Sequence, residues 1–289
     1  MKLMNIKLNK LIFVTALICN TMIITAQEEK DTRPVPETFN ATTLINTHTN
    51  IVPAAKGLEF VLQHRFGSFD NGIEDIFGIY GASNIRMGFN YGIADNLMLA
   101  FQTEKNNKLQ EFQVKYNILN QTRSGSMPVT LTYFSNMAIS SKDETEFGSE
   151  FKSIHRLSYF HQLIISRKFS DKLSVLVAPG FVHYNVVDSV YKNQKLSITA
   201  GGKYNVYNNI SLLCEYNKSF YLGSTESYQE DKTAKDDLSF AAEILSGTHT
   251  FQIVFAHSQQ LVMQNLMMYN ENDLSTGWCL GFNLTVRFY

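Results

Sequence analysis

The sequence predicts an all-β protein that folds as a single antiparallel transmembrane β-barrel of about twelve strands, of the outer-membrane type. Three observations support this prediction. The chain starts with a secretory leader, no later apolar run is long enough for a spanning helix, and most segments alternate apolar and polar residues. Because lipid offers the backbone no hydrogen-bond partners, a chain without spanning helices can cross a membrane only as a closed barrel.

Residues 1–26 have the composition of a signal peptide. Basic residues start the chain, an apolar run covers residues 11–24, and Ala26 provides a small residue for cleavage. The secretory pathway recognises this order of features. Cys19 raises the alternative of a lipoprotein, but the residue before it, Ile18, is larger than lipoprotein cleavage requires.

The clearest alternation lies at the C-terminal end of the chain. One parity of this segment is wholly apolar, with Trp278, Leu280, Phe282, Leu284, Val286 and Phe288. The other parity is mostly polar or small. Successive side chains of a strand point to opposite faces, so this strand has one apolar and one polar face. Such strands of about 9–11 residues suit a tilted membrane barrel.

The alternation predicts twelve strands, an even number as in other bacterial barrels. They cover residues 58–66, 84–93, 96–104, 109–119, 127–139, 154–169, 172–184, 196–207, 210–221, 237–246, 248–258 and 277–289. Connections after even-numbered strands are short and rich in Asp and Asn, which favour tight turns. We expect these turns on the periplasmic side. The other connections are longer and polar, as outer loops are, except for the short link 105–108.

Residues 27–57 precede the first strand and carry three of the five prolines, with many Thr and Asn. We expect them to form an N-terminal arm, either periplasmic or folded into the lumen. Residues 58–289 then form one barrel domain.

Six short stretches carry a family resemblance. They are Thr43-Leu44-Ile45-Asn46 with His48, Leu62-Gln63-His64-Arg65-Phe66-Gly67, Met127-Pro128-Val129, Leu157-Ser158-Tyr159-Phe160-His161-Gln162-Leu163, Arg167-Lys168-Phe169-Ser170-Asp171 and Gly281-Phe282-Asn283. Together they resemble an uncharacterised family of outer-membrane β-barrels catalogued as domain of unknown function 5777. The resemblance implies a barrel in the outer membrane of a Gram-negative bacterium, and it implies no activity or catalytic residue.

The expected partners follow from the strand pattern and the charge. The lipid bilayer surrounds the barrel, and the alternating C-terminus with its terminal aromatic residues resembles the signal for the barrel-assembly machinery. A formal net charge of −1 gives no support for a nucleic-acid partner.

The chain has no nucleotide-binding, zinc-protease or hydrolase motif, and we expect neither a cofactor nor a metal. Cys214 and Cys279 lie on non-adjacent predicted strands and opposite faces, so we expect both to be unpaired. His64, His161 and His183 share the outward parity, where they suit a membrane girdle; a metal ligand or a base is the alternative.

Nine charged residues on the predicted inner face are candidates for lining the lumen. They are Glu59, Arg65, Arg86, Lys115, Arg156, Lys203, Glu215, Glu243 and Arg287. In a water-filled lumen such residues set solute preference, whereas in a closed interior they pair with one another. A twelve-stranded barrel lies between filled eight-stranded and open sixteen-stranded barrels, so the sequence does not decide between the two.

Two loops also raise the question of a plug. Residues 69–82 are Gly-rich, and residues 261–269 are apolar with helical spacing. Each loop would either enter the barrel or pack against its rim.

Three functions fit the sequence. The best is a passive outer-membrane channel or transporter for small solutes, which is not an enzyme. The second is a structural barrel with a closed lumen and partner-binding outer loops. The third is a lipid-modifying enzyme, for which His161 and Ser135 are the pair to inspect. A soluble periplasmic β-protein is also compatible with the alternation alone.

Overall fold

A computed structural model describes residues 31–188, 191–221 and 234–288 of the chain. The predicted signal peptide, the start of the arm at residues 27–30, and Tyr289 lie outside the described residues. In the described part, twelve antiparallel strands form one closed barrel, in which each strand pairs with the next and the first pairs with the last. The prediction of an all-β, antiparallel, twelve-stranded barrel is confirmed.

The strand bounds follow the alternation closely. They are β1 (Leu58–Ser68), β2 (Asn84–Ala94), β3 (Leu97–Glu104), β4 (Leu109–Leu119), β5 (Thr130–Ser140), β6 (Leu157–Lys168), β7 (Leu173–Tyr184), β8 (Gln194–Tyr207), β9 (Ile210–Tyr221), β10 (Asp237–Ser246), β11 (His249–Ala256) and β12 (Cys279–Phe288). Closure leaves no unpaired strand edge, which is what a bilayer requires.

Two strands begin three residues later than the sequence predicted, the largest difference at any strand start. β5 begins at Thr130 because the N–H of Thr122 donates to the Met127 carbonyl at 3.0 Å and closes a local turn. The connection after β4 is therefore longer than expected for its end of the barrel. β6 begins at Leu157 because the preceding residues form the 3-10 helix Ser153–Arg156.

The surface of the barrel is apolar and its interior is polar. In β4, Val114 and Tyr116 are 39% and 42% exposed, whereas Glu111, Gln113 and Lys115 are at most 2% exposed. A soluble protein has the opposite distribution, because its charges are mostly exposed. Apolar side chains outside and charged ones inside are characteristic of a membrane barrel.

Helices are few and short. The longer connections hold α1 (Met263–Tyr269) and the 3-10 helices Phe69–Asp75, Glu144–Phe147 and Ser153–Arg156. Within residues 31–188, 191–221 and 234–288, no helix has the length and hydropathy needed to span a bilayer.

Large apolar side chains also point into the barrel from β5, β6 and β7. Phe134, Phe160, Ile164, Leu176 and Val182 are at most 1% exposed and belong to one buried cluster. This cluster also includes residues of the N-terminal arm and of α1. One side of the lumen is therefore packed with protein.

The two described cysteines are both unpaired in the structure. Cys214 on β9 is exposed, whereas Cys279 on β12 is buried in the interior cluster.

A charge on the outer face tests the membrane orientation of the strands. Val114→Arg at the middle of β4 should destabilise the barrel in a bilayer by about 2–4 kcal/mol, whereas Leu119→Arg at the strand end should cost about 0–1 kcal/mol. Urea unfolding in lipid vesicles measures both. Equal effects of the two substitutions would contradict a lipid-facing β4.

Candidate functional site

Eight of the nine candidate lumen residues lie on strands, with their side chains inside the barrel. Arg156 is the exception. It ends the 3-10 helix Ser153–Arg156 above β6, and its Nη1 donates to the carbonyls of Ser140, at 3.0 Å, and Lys142. There Arg156 joins two segments of the β5–β6 connection.

Two ion pairs join the walls of the lumen. Arg86 Nε lies 2.6 Å from Glu111 Oε1, and both side chains are buried. Arg287 Nε lies 3.4 Å from Glu59 Oε1. These pairs connect β2 with β4 and β12 with β1, so each charge has a counter-charge inside the barrel.

The N-terminal arm occupies the centre of the lumen. Residues 38–50, which we call the arm hairpin, are buried except for the half-buried Asn40. A β-bridge between Thr43 and His48 forms the hairpin, and the N–H of Leu44 donates to the Thr47 carbonyl at 2.8 Å across its tip.

The arm hairpin enters and leaves through the barrel end that carries the short turns. Before the hairpin, the N–H of Val35 donates to the carbonyl of Gln121, beside the β4–β5 connection, at 2.9 Å. After it, the N–H of Lys56 donates to the Gly92 carbonyl, beside the β2–β3 turn, at 2.7 Å. The chain then continues directly into β1.

The carboxylate of Glu215 holds the tip of the hairpin. It accepts the backbone N–H groups of Ile45 and Asn46 at 3.0 Å each and that of Thr47 at 3.1 Å. Three consecutive N–H groups thus converge on one charged acceptor. Hydrogen bonds to a charged group are stronger than neutral ones, and buried ones are costly to lose.

Side-chain amides bind the carbonyls of the same tip. Gln63 Nε2 and Asn283 Nδ2 donate to the Ile45 carbonyl at 3.0 and 2.9 Å. Gln252 Nε2 donates to the Leu44 carbonyl at 2.8 Å. The polar groups of the tip backbone therefore have partners on β1, β9, β11 and β12.

The base of the hairpin is held by charged groups on β4 and β1. Lys115 Nζ donates to the carbonyls of Thr42 and Ile51 at 2.8 and 2.9 Å. The Thr42 hydroxyl donates to Glu59 Oε2 at 2.7 Å. Lys115 bridges the two legs of the hairpin and fixes their separation.

Asn40 connects the hairpin to three more candidate residues. Its Nδ2 donates to Glu243 at 2.8 Å, its Oδ1 accepts from Lys203 Nζ at 3.0 Å, and its carbonyl accepts from Arg287. Asn40 thus connects the negative Glu243 on β10 with the positive Lys203 on β8 and Arg287 on β12.

Apolar contacts complete the seat of the hairpin. The His48 ring stacks on Phe134 with 3.8 Å between ring centroids, and Leu44 and Ile45 belong to the buried cluster. Gly201 on β8 provides space, since a Cβ there would lie 2.4 Å from Leu44 Cδ2. The barrel wall therefore contacts the tip through both polar and apolar side chains.

α1 fills the lumen from the opposite end. It packs against β6 to β9, and Lys195 Nζ donates to the Met268 carbonyl at 3.0 Å. Asn136 Nδ2 also donates to Gln264 Oε1 at 3.2 Å. The apolar loop 261–269 therefore lies inside the barrel. The other loop, residues 69–82, lies on the surface, with Ile73 74% and Tyr80 79% exposed.

The lumen is closed to water at the level of the hairpin tip. Ile45 and its neighbours Gln63, Arg65 and Glu215 have no exposed surface. Above α1, at the loop end, lies a cavity of about 570 Å³, whose lining includes Arg156, Tyr184 and Tyr269. No residue of the hairpin is among those that line this cavity.

The pair His161 and Ser135 lies on the outer surface of the barrel. The strand register places the two residues opposite each other on β6 and β5. The ring of His161, however, hydrogen-bonds through Nδ1 with the Tyr133 hydroxyl at 2.8 Å. An activated serine needs its base within hydrogen-bond reach, and this histidine has a different partner.

Within residues 31–188, 191–221 and 234–288, no group of three or more His, Cys, Asp or Glu side chains is arranged to hold a metal ion.

Sequence reasoning missed the uncharged part of the site. Gln63, Gln252 and Asn283 lie on the inward parity, but they are uncharged and are therefore not among the nine charged candidates. Phe134 and Phe160 also lie on the inward parity. Strands that are apolar on both faces are buried on both faces, and this signal indicates a lumen occupied by protein.

Comparison with known families and structures agrees with the barrel geometry. The family model of the membrane bound beta barrel domain of unknown function 5777 matches residues 39–288. The chain belongs to this family. The matched residues begin at the arm hairpin, so the family domain includes this hairpin as well as the barrel. No curated protein sequence matches the chain.

Two solved structures share the architecture of this family member. The COG4313 outer membrane channel from Pseudomonas putida F1 is 11% identical, with a TM-score of 0.51, over 83% of this chain and 97% of that one. The NanC porin is 11% identical, with a TM-score of 0.50, over 80% and 99%. At this identity, the likeness shows the fold: a β-barrel of the outer-membrane type.

Removing the charge that holds the tip should loosen the arm. In Glu215→Gln, buried N–H groups lose their charged acceptor, at a cost of about 1–3 kcal/mol. Cleavage of residues 38–50 by proteinase K in the folded barrel should therefore accelerate by about 5- to 150-fold. Glu150→Gln in an exposed loop is the matched control. An unchanged cleavage rate in Glu215→Gln would show that the carboxylate does not hold the arm.

Proposed function

We propose that this protein is an outer-membrane channel for small solutes in a Gram-negative bacterium, closed at rest by its own N-terminal arm. The observation that carries the proposal is the chemistry of the contacts around the hairpin. Lys115, Glu215 and Glu59 are charged groups that water could solvate if the hairpin left. A segment that serves only as a core would be expected to have mainly apolar neighbours.

Exchange of hydrogen-bond partners for water lowers the energetic cost of withdrawing the hairpin. Each hydrogen bond that is exchanged for water costs only about 0.5–1.5 kcal/mol in net terms. The hairpin is continuous with the rest of the chain at one barrel end only, so it can leave without threading a loop. A plug that moves between a closed and an open position needs a free-energy difference of only a few kcal/mol between the two positions.

The proposed passage runs beside α1. α1 packs against β6 to β9, whereas polar groups such as Gln63, Arg86 and Lys115 project from β1, β2 and β4. Withdrawal of the hairpin leaves this polar side of the lumen for water and solute. Charged residues there would set solute preference, as in other barrels.

The orientation is part of the proposal. Short turns face the periplasm in outer-membrane barrels, and the arm leaves the lumen at the end with the short turns. The arm is then accessible from the periplasm, while the 570 Å³ cavity faces the cell exterior. On secretion, residues 1–26 are removed, and the barrel-assembly machinery then inserts the barrel into the outer membrane.

A closed structural barrel with partner-binding outer loops is the second candidate. The packed cluster around Phe134 and α1 favours it, because this part of the interior resembles a permanent core. The two candidates differ in one property, which is whether the hairpin can leave. For a lipid-modifying enzyme, His161 would have to act as the base of Ser135, and the hydrogen bond that His161 makes in the structure is instead to Tyr133.

A charged residue at the hairpin tip should open the channel. Ile45→Asp places a carboxylate in an apolar seat beside Glu215, so burial and like-charge repulsion both expel the tip. In planar bilayers, we expect discrete conductance steps from the full-length variant and rare steps from the unmodified protein.

Ile73→Asp, in the exposed 3-10 helix Phe69–Asp75, is the matched control and should conduct like the unmodified protein. Heat-shifted gel mobility confirms that each variant is folded. If Ile45→Asp is folded, has a protease-accessible arm and passes no current, the channel proposal is wrong and the closed structural barrel is favoured.

A further inference from the structure

The side chains around the hairpin tip contact mainly its backbone. Glu215 accepts three consecutive N–H groups, and Gln63, Asn283 and Gln252 donate to two consecutive carbonyls. Main-chain groups are common to all peptides. The polar part of the seat is therefore complementary to a peptide backbone in general.

The spacing of these contacts restricts the chemistry of any molecule that could replace the hairpin. The N–H groups of Ile45, Asn46 and Thr47 reach a single carboxylate because they follow one another around a tight turn. An aromatic acid has no such row of donors, and a monosaccharide has hydroxyl groups in place of N–H donors with adjacent carbonyl acceptors. A short peptide in a turn presents three N–H donors together with two carbonyls.

Side-chain contacts add a modest preference for sequence. Leu44 and Ile45 occupy the apolar part of the seat, for which Gly201 leaves room. Arg65 Nη2 donates to the side-chain oxygen of Asn46 at 2.8 Å, and the Thr47 hydroxyl donates to Gln162 Oε1 at 3.1 Å. The seat suits two aliphatic residues followed by polar ones.

We propose that the lumen is a binding site for short peptides, and that the arm hairpin occupies it in the manner of an internal ligand. Peptides with adjacent aliphatic side chains are then the solute class. This inference rests on the proposed channel function, because a solute reaches the seat only when the hairpin has left.

The withdrawal of the hairpin also explains how a peptide would be recognised. Without the hairpin, Glu215 keeps the Asn217 amide as a partner, at 2.9 Å, and loses three N–H donors. Water would solvate the carboxylate, and a ligand with several N–H donors would replace this water with charge-assisted hydrogen bonds. Competition between peptide and arm would couple opening of the channel to its solute.

The test uses the full-length Ile45→Asp variant and the synthetic peptide acetyl-Thr-Leu-Ile-Asn-Thr-amide, which has the sequence of residues 43–47. Isothermal calorimetry in detergent measures binding, and block of single-channel current measures occupancy of the lumen. We expect saturable binding to the variant and binding weaker by about tenfold or more to the unmodified protein, where the arm competes.

Two matched probes isolate the backbone contacts. A peptide that is N-methylated at its Asn and second Thr lacks two of the three N–H donors, and it should bind about tenfold more weakly or worse. Adding Glu215→Gln to the variant should weaken the unmodified peptide similarly. N,N′-diacetylchitobiose, which carries amides on a sugar, should not compete.

Three results would overturn the inference. They are no peptide binding to a variant with a protease-accessible arm, equal binding of the N-methylated peptide, or tighter binding of the disaccharide. Asn46→Pro, which removes an N–H from the tip, replaces Ile45→Asp if that variant does not fold. Conductance without peptide binding would leave the channel proposal intact, so the two failures are distinguishable.

Discussion

The bilayer imposes the constraint on which the rest of this structure depends. Strands that face lipid must be apolar outside, so polar and charged side chains are directed inward, where each buried charge needs a partner. Side chains alone fill the interior of an eight-stranded barrel, but twelve strands enclose a wider lumen. The arm hairpin and α1 supply the missing volume and, with it, the missing hydrogen-bond partners.

The hairpin combines two kinds of contact with different consequences. The apolar contacts of Leu44 and His48 exclude water and favour the closed state, but such contacts do not fix the orientation of the hairpin. The bonds to Glu215 and Lys115 fix where the tip stops and how far apart its legs lie. Water can solvate charged partners of this kind when the hairpin leaves, so they are compatible with a hairpin that moves.

The sequence predicted the barrel well because alternation reports directly on which face of a strand meets lipid. The alternation predicts all twelve strands, and the largest errors at strand starts are at β5 and β6, where a local turn and a 3-10 helix precede the strand. The arm's place could not be derived, because Ile45 bonds Glu215 and Asn283, which lie 170 and 238 positions away, and local patterns contain no such information. Phe134 and Phe160 on the inward parity were the available sign of a filled lumen. The alternation predicts Arg156 within the sixth strand, whereas in the structure it ends the 3-10 helix Ser153–Arg156 that precedes β6.

Hydrogen exchange of the unmodified protein in detergent tests the central claim most directly. If the arm hairpin lies in the lumen, the backbone amides of Ile45, Asn46 and Thr47 should exchange more slowly than those of the exposed residues 143–146 by about 100-fold or more, because exchange requires the hairpin to open. Mass spectrometry with peptic fragments covers both segments in one experiment. Equally fast exchange of the two segments would contradict the account, since it would place the hairpin in water outside the barrel.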